Sequence, residues 1–237
     1  MSRTWADAVA LARANMDAVS AIAGMFVLLP GLVSAWFLPE RALPTDKTTP
    51  ADILTANADY ITANWPLITI SAIIVTFGSL VLLSFLLDSA RPTVSGALRH
   101  GLSALPSYML ASAVQTLAVA GGLMLFIAPG VYLVSRFLCI APVAVAEDRR
   151  RPLAIIGRSF QLTHGNGWRI VLLLAVILLV AIVISTVLGT IIGITGALLL
   201  PPDIARLANL IVGSLVETAL AVSVTLVSAA VYRQATA

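Results

Sequence analysis

Six apolar runs, at Val19–Leu38, Pro66–Leu87, Ser107–Ala128, Gly130–Val145, Ile170–Ile192 and Leu207–Val231, leave this chain few ways to fold. A helix needs about 20 mostly apolar residues to cross the hydrocarbon core of a bilayer, where every backbone polar group must be satisfied within the chain. Of the 237 residues, 59% are hydrophobic and 11% charged, too few polar residues to cover a water-facing surface. The expected fold class is all-α integral membrane, with six transmembrane helices in a single polytopic domain. The fourth run is short, and the region from Ile170 to Leu200 is long for one straight span. Gly189, Gly193 and Gly196 are expected to end or bend the fifth helix there, since glycine weakens a helix interior.

The net charge of +3 lies mostly in turns between the runs, so it bears on orientation rather than on nucleic-acid binding. With six spans, Arg3, Arg13, Arg91, Arg99, Arg149, Arg150, Arg151, Arg158, Arg169 and Arg233 fall on one side. Arg41, Lys47 and Arg206 fall on the other, among Glu40, Asp46, Asp52, Asp59 and Asp203. Lys and Arg favour the cytoplasmic side, so both termini are expected there. The segment before the first run is long and contains Asp7 and Asp17, which favours a membrane span over a secretory leader. Cys139 is the single cysteine, so an intrachain disulfide is excluded.

Amphipathic spacing introduces each pair of spans. Trp5, Val9, Ala12 and Met16 share one helical face, as do Val94, Leu98, Leu102 and Leu105, and then Leu153, Ile156 and Phe160 after Pro152. A spaced pattern recurs at an offset of sixty, Arg91-Pro92, Leu102-Ser103 and Tyr108 against Arg151-Pro152, Leu162-Thr163 and Trp168. The expected architecture is therefore three hairpins, units 1–88, 89–147 and 148–237, each preceded by a cytoplasmic amphipathic interfacial helix. In the loop from Pro39 to Trp65, Thr49-Pro50-Ala51-Asp52 has the form of a capping box with proline at the first helical position, predicting a helix to about Asn64.

Chemistry-bearing residues are sparse. Arg136 and Glu217 lie inside runs, where an unpaired charge costs several kcal/mol. Helical rise places them roughly 9 Å and 15 Å below the outer ends of their spans, which makes them candidate partners. Asn209 shares a face with Glu217, and Gln115 adds a polar group to the third span. These four form a candidate intramembrane polar binding site. Arg151, Arg158, His164, Trp168 and Arg169 are candidate lipid head-group contacts. His164 with Glu147 and Asp148 is the nearest approach to an acid–base set. No paired cysteines, zinc-type histidine motif or glycine-rich phosphate loop occurs, so no catalytic residue, metal or cofactor is expected.

Pro129-Gly130, Tyr132, Arg136, Pro142, Glu147, Pro152-Leu153, Ser159, Leu162-Thr163, Gly165-Asn166 and Trp168-Arg169 resemble the membrane domain of glycerophosphodiester phosphodiesterases, which also occurs alone in YciC-like six-span proteins. The resemblance covers about one sixth of the chain. It implies a bacterial inner-membrane location. It carries no hydrolase activity with it, because the chain has no soluble stretch for the catalytic barrel. The expected role is a non-enzymatic polytopic protein engaged with lipids or the cell envelope. The alternative is a small transporter or channel with a polar site around Arg136 and Glu217. Membrane lipids are the expected partner, nucleic acid is not, and small-residue faces leave a homo-oligomer open.

Overall fold

The computed structural model describes residues 2–39, 49–87, 93–147, 151–199 and 201–236. Glu40, Arg41, Asp46, Lys47, Arg91, Pro92, Asp148, Arg149 and Arg150, on which parts of the orientation, repeat and acid–base readings rest, lie outside the described residues. Everything regular among the described residues is helical. In order these are α1 (Ser2–Ala14), α2 (Met16–Ala23), a π-helical turn (Gly24–Leu28), α3 (Leu29–Phe37), α4 (Pro50–Leu87), α5 (Val94–Leu125), α6 (Ile127–Arg136), α7 (Ile140–Ala146), α8 (Pro152–Leu162), α9 (Gly167–Leu199) and α10 (Pro202–Thr236). Six stretches are long and apolar enough to cross a membrane: Met16–Phe37, Ala51–Leu87, Val94–Leu125, Ile127–Ala146, Gly167–Gly196 and Asp203–Thr236. The protein is a multi-pass membrane protein, as the run lengths require.

Local chemistry explains several boundaries. Thr49 and Asp52 form the capping box reciprocally: the Asp52 carboxylate accepts from the Thr49 backbone N–H at 2.9 Å, and the Thr49 hydroxyl accepts from the Asp52 backbone N–H at 3.2 Å. The helix so started does not stop at Asn64 but continues through Pro66 to Leu87 as one element. Likewise the amphipathic segment after Thr93 runs through Pro106 into the third span as a single helix. In the first span the π-helical turn sits just before Pro30, whose ring cannot donate the usual helical bond.

Two expectations about the spans need correction. The fifth helix does not end at Gly189, Gly193 or Gly196; α9 passes through all three to Leu199. Gly196 instead marks a close crossing, because a Cβ there would lie 2.5 Å from the Ala205 Cβ at the start of α10. The fourth span, by contrast, is interrupted, with a turn at Phe137–Cys139 separating α6 from α7.

Packing is uneven along the bundle. The fully buried side chains Leu80, Leu83, Ile140, Val143, Ile155 and Val227 come from α4, α7, α8 and α10 and gather toward one end. α1 covers that end against α10, burying Ala8 and Leu11, and the Thr4 hydroxyl donates to the Gln234 side-chain oxygen at 2.9 Å. The first and last helices therefore share one end of the molecule. Elsewhere large apolar side chains such as Leu179, Ile184 and Ile191 on α9 are exposed. In water such a face would associate, but acyl chains solvate it at no cost.

Candidate functional site

The end of the bundle that holds both chain ends also collects the polar chemistry. Arg136 is the last residue of α6, so its carbonyl has no partner further along that helix. Two hydroxyls from the next stretch supply one: Ser159 donates to it at 2.7 Å and Thr163 at 3.4 Å. Both residues are fully buried. The interruption of the fourth span is thus stabilised by α8 and the turn after it.

The Arg136 side chain is 8% exposed. Its guanidinium carbon lies 4.9 Å from the Phe160 ring centroid and 6.0 Å from that of Tyr132. Phe160 packs edge-on against Phe137 at 5.1 Å, and Tyr132 leans on Trp168 at 5.4 Å. A ring face at such distances attracts a cation by about 0.5–2 kcal/mol, which offsets part of the cost of burying it. Nη1 of Arg136 is buried and has no hydrogen-bond partner.

A second arginine is spoken for. Arg158 donates through Nε to Glu147 at 2.9 Å, and the Tyr232 hydroxyl donates to the same carboxylate oxygen at 3.4 Å. Hydrogen bonding to Glu147, and then its charge, push the Arg158 guanidinium above its ordinary pKa. The arrangement joins the turn after α7 to α8 and to the end of α10, and it withdraws Arg158 from free head-group binding.

Arg151, His164, Trp168 and Arg169 are exposed around the same end. Trp168 is 62% exposed, and its ring meets that of Tyr132 at a tilt of 42°. In the turn between α8 and α9, Gly165 has φ of 79°, a left-handed conformation that side chains disfavour. His164 lies in that turn, and among the described residues its side chain makes no ion pair; Asp148, the other acid of the acid–base reading, lies outside the described residues.

Among the described residues no hydrogen bond or ion pair links the four candidate intramembrane residues to one another. No ion pair joins Arg136 to Glu217 among the described residues. Arg136 belongs to the level of Trp168 and Ser159, whereas Glu217 lies about 25 Å before Gln234 along α10 at 1.5 Å per residue. Glu217 is exposed and Gln115 half-buried. Asn209 lines a separate cavity of about 440 Å³ with Gly193 and Arg206.

Sequence reasoning missed the cavity where α1 meets the ends of α9 and α10. Its volume is about 380 Å³, and Arg3, Thr4, Asn166, Arg169 and Gln234 give it polar walls. The available signal was the recurrence of arginine beside both termini and at the start of α9; nothing local joins residue 3 to residue 234. Among the described residues no cluster of His, Cys, Asp and Glu suits a metal ion. Comparison with protein-family models, with curated proteins and with solved structures finds no match.

Proposed function

We propose that this chain is a non-enzymatic protein of a bacterial inner membrane that engages anionic lipid head groups at its cytoplasmic face. The observation that carries the reading is the end of the bundle bearing both chain ends. There Arg3, Arg151, Arg169 and Trp168 are exposed at helix ends, where an interface would lie. The reading takes that end as cytoplasmic, with α1, the first turns of α5 and α8 as interfacial helices leading three hairpins. The likeness of Pro129–Arg169 to stand-alone YciC-like proteins points the same way. A transport path through Arg136 and Glu217 is the weaker reading, since their separation leaves each charge in its own setting.

Lipid recovery tests the proposal. The protein is purified in native membrane discs, exchanged into mild detergent and examined by native mass spectrometry. The expected result is retention of phospholipid, with phosphatidylglycerol or another anionic species enriched over bulk membrane. Recovery of lipid in bulk proportions, or of none, overturns it.

A further inference from the structure

The polar cavity does not end at its arginines. Leu173 on α9 lines it and also lines a second cavity of about 420 Å³, which runs between α9 and α10. The second cavity is walled by apolar side chains from Leu173 to Ile184 on α9 and from Val216 to Leu220 on α10, with Ser223 its one hydroxyl among the described residues and Trp5 contributed by α1. From Leu173 to Ile184 the groove is about 16 Å long at 1.5 Å per residue. That matches one leaflet, half of a hydrocarbon core about 30 Å thick. The two spaces share the Leu173 wall, a cationic head compartment lying beside an apolar channel of leaflet depth.

Charge selects the occupant. Arg3 and Arg169 line the head compartment, and among the described residues no acidic side chain lines either space. The nearest acid of the region, Asp7, accepts a hydrogen bond from the Gln234 amide and lines a neighbouring cavity with Arg233. Gln234 is held on its other side by Thr4, so this contact fixes α1 over the compartment. Two guanidiniums suit a phosphodiester, and a choline or ethanolamine cation would meet them unfavourably. A free phosphate would fill the head compartment but leave the apolar channel without a complement.

We infer that these adjoining cavities bind one phospholipid of net negative charge, its phosphate held by Arg3 and Arg169 and an acyl chain lying in the α9–α10 groove. The inference rests on the lipid-engaged reading and narrows it to a single site. It makes α1 a clasp, because Thr4 and Trp5 touch the head and chain compartments respectively.

The test uses the full chain, delipidated in detergent and titrated with dioleoyl phosphatidylglycerol or dioleoyl phosphatidylcholine while bound lipid is counted by native mass spectrometry. Wild-type protein is expected to take up one phosphatidylglycerol in preference to phosphatidylcholine. The double substitution Arg3→Gln and Arg169→Gln is expected to weaken that binding about tenfold or more, since each basic group near an anionic lipid contributes about 1 kcal/mol. Ala181→Trp, which fills the groove and leaves the arginines in place, is expected to weaken both lipids. Arg233→Gln, outside both spaces, is the control and should bind as wild type. Millimolar inorganic phosphate should not displace the lipid. Lipid binding by wild type that survives both the arginine and the groove substitutions within twofold overturns this site but not the broader reading, as does full displacement by phosphate. Absence of any lipid binding by wild type overturns both.

Discussion

Arg136 holds its guanidinium between two aromatic rings rather than against a carboxylate, with its own carbonyl fastened by Ser159 and Thr163. Its stabilisation is therefore local, from cation–π attraction and packing of the side-chain stem. Glu217, exposed on α10, makes no compensating contact with it. A double-mutant cycle with Arg136→Met and Glu217→Gln, read by thermal unfolding in detergent, should give a coupling energy within about 0.3 kcal/mol of zero. A coupling above about 1 kcal/mol would show that the two charges communicate. Arg158 is the contrasting case, because its partner Glu147 also receives Tyr232 and the three join separate parts of the chain.

Helices set limits that single residues do not reveal. α9 continues through three glycines because its neighbours and the surrounding lipid offer no better arrangement for the backbone, which must keep its hydrogen bonds in an apolar medium. The glycines differ in what surrounds them. A Cβ at Gly193 would meet nothing within 4 Å, whereas one at Gly196 would press on Ala205 at 2.5 Å. Gly193→Ala should stabilise the protein by about 0.5–1 kcal/mol through helix propensity alone. Gly196→Ala gains the same propensity but must push α10 aside, and a net loss of about 1 kcal/mol is expected. Unfolding of the two variants under identical detergent conditions checks the difference in sign.

At the scale of the whole molecule the ends of the chain meet. The Thr4–Gln234 hydrogen bond and the packing of α1 on α10 require both termini to lie on one side of the membrane. Cysteine labelling can test this directly, because Cys139 is buried and can be replaced to give a cysteine-free background. Arg13→Cys and Thr236→Cys should react with an impermeant maleimide from the same side, expected to be cytoplasmic, and Thr49→Cys from the opposite side. Labelling of Arg13→Cys and Thr236→Cys from opposite sides would rule out this arrangement.

The number of spans, their approximate positions and the capping of α4 were legible in the residue order, because each depends on apolar length or on groups within one turn of each other. The exposure of Arg151, His164, Trp168 and Arg169 at one end was legible in the same way, as charges and rings crowded between two runs, whereas the pairing of Arg158 with Glu147 was not. The break after Arg136 was not, since the buried hydroxyls that satisfy its carbonyl, Ser159 on α8 and Thr163 just after it, reach back more than twenty residues. Nor was the contact of the Arg136 guanidinium with the Phe160 ring, which α8 carries to it. The adjoining cavities depend on contacts between the first and last helices, whose closeness follows from packing and has no trace in local pattern. Bilayer physics acts on composition along the chain and so can be read residue by residue. The meeting of distant side chains follows from how the helices pack, and only the folded arrangement reveals it.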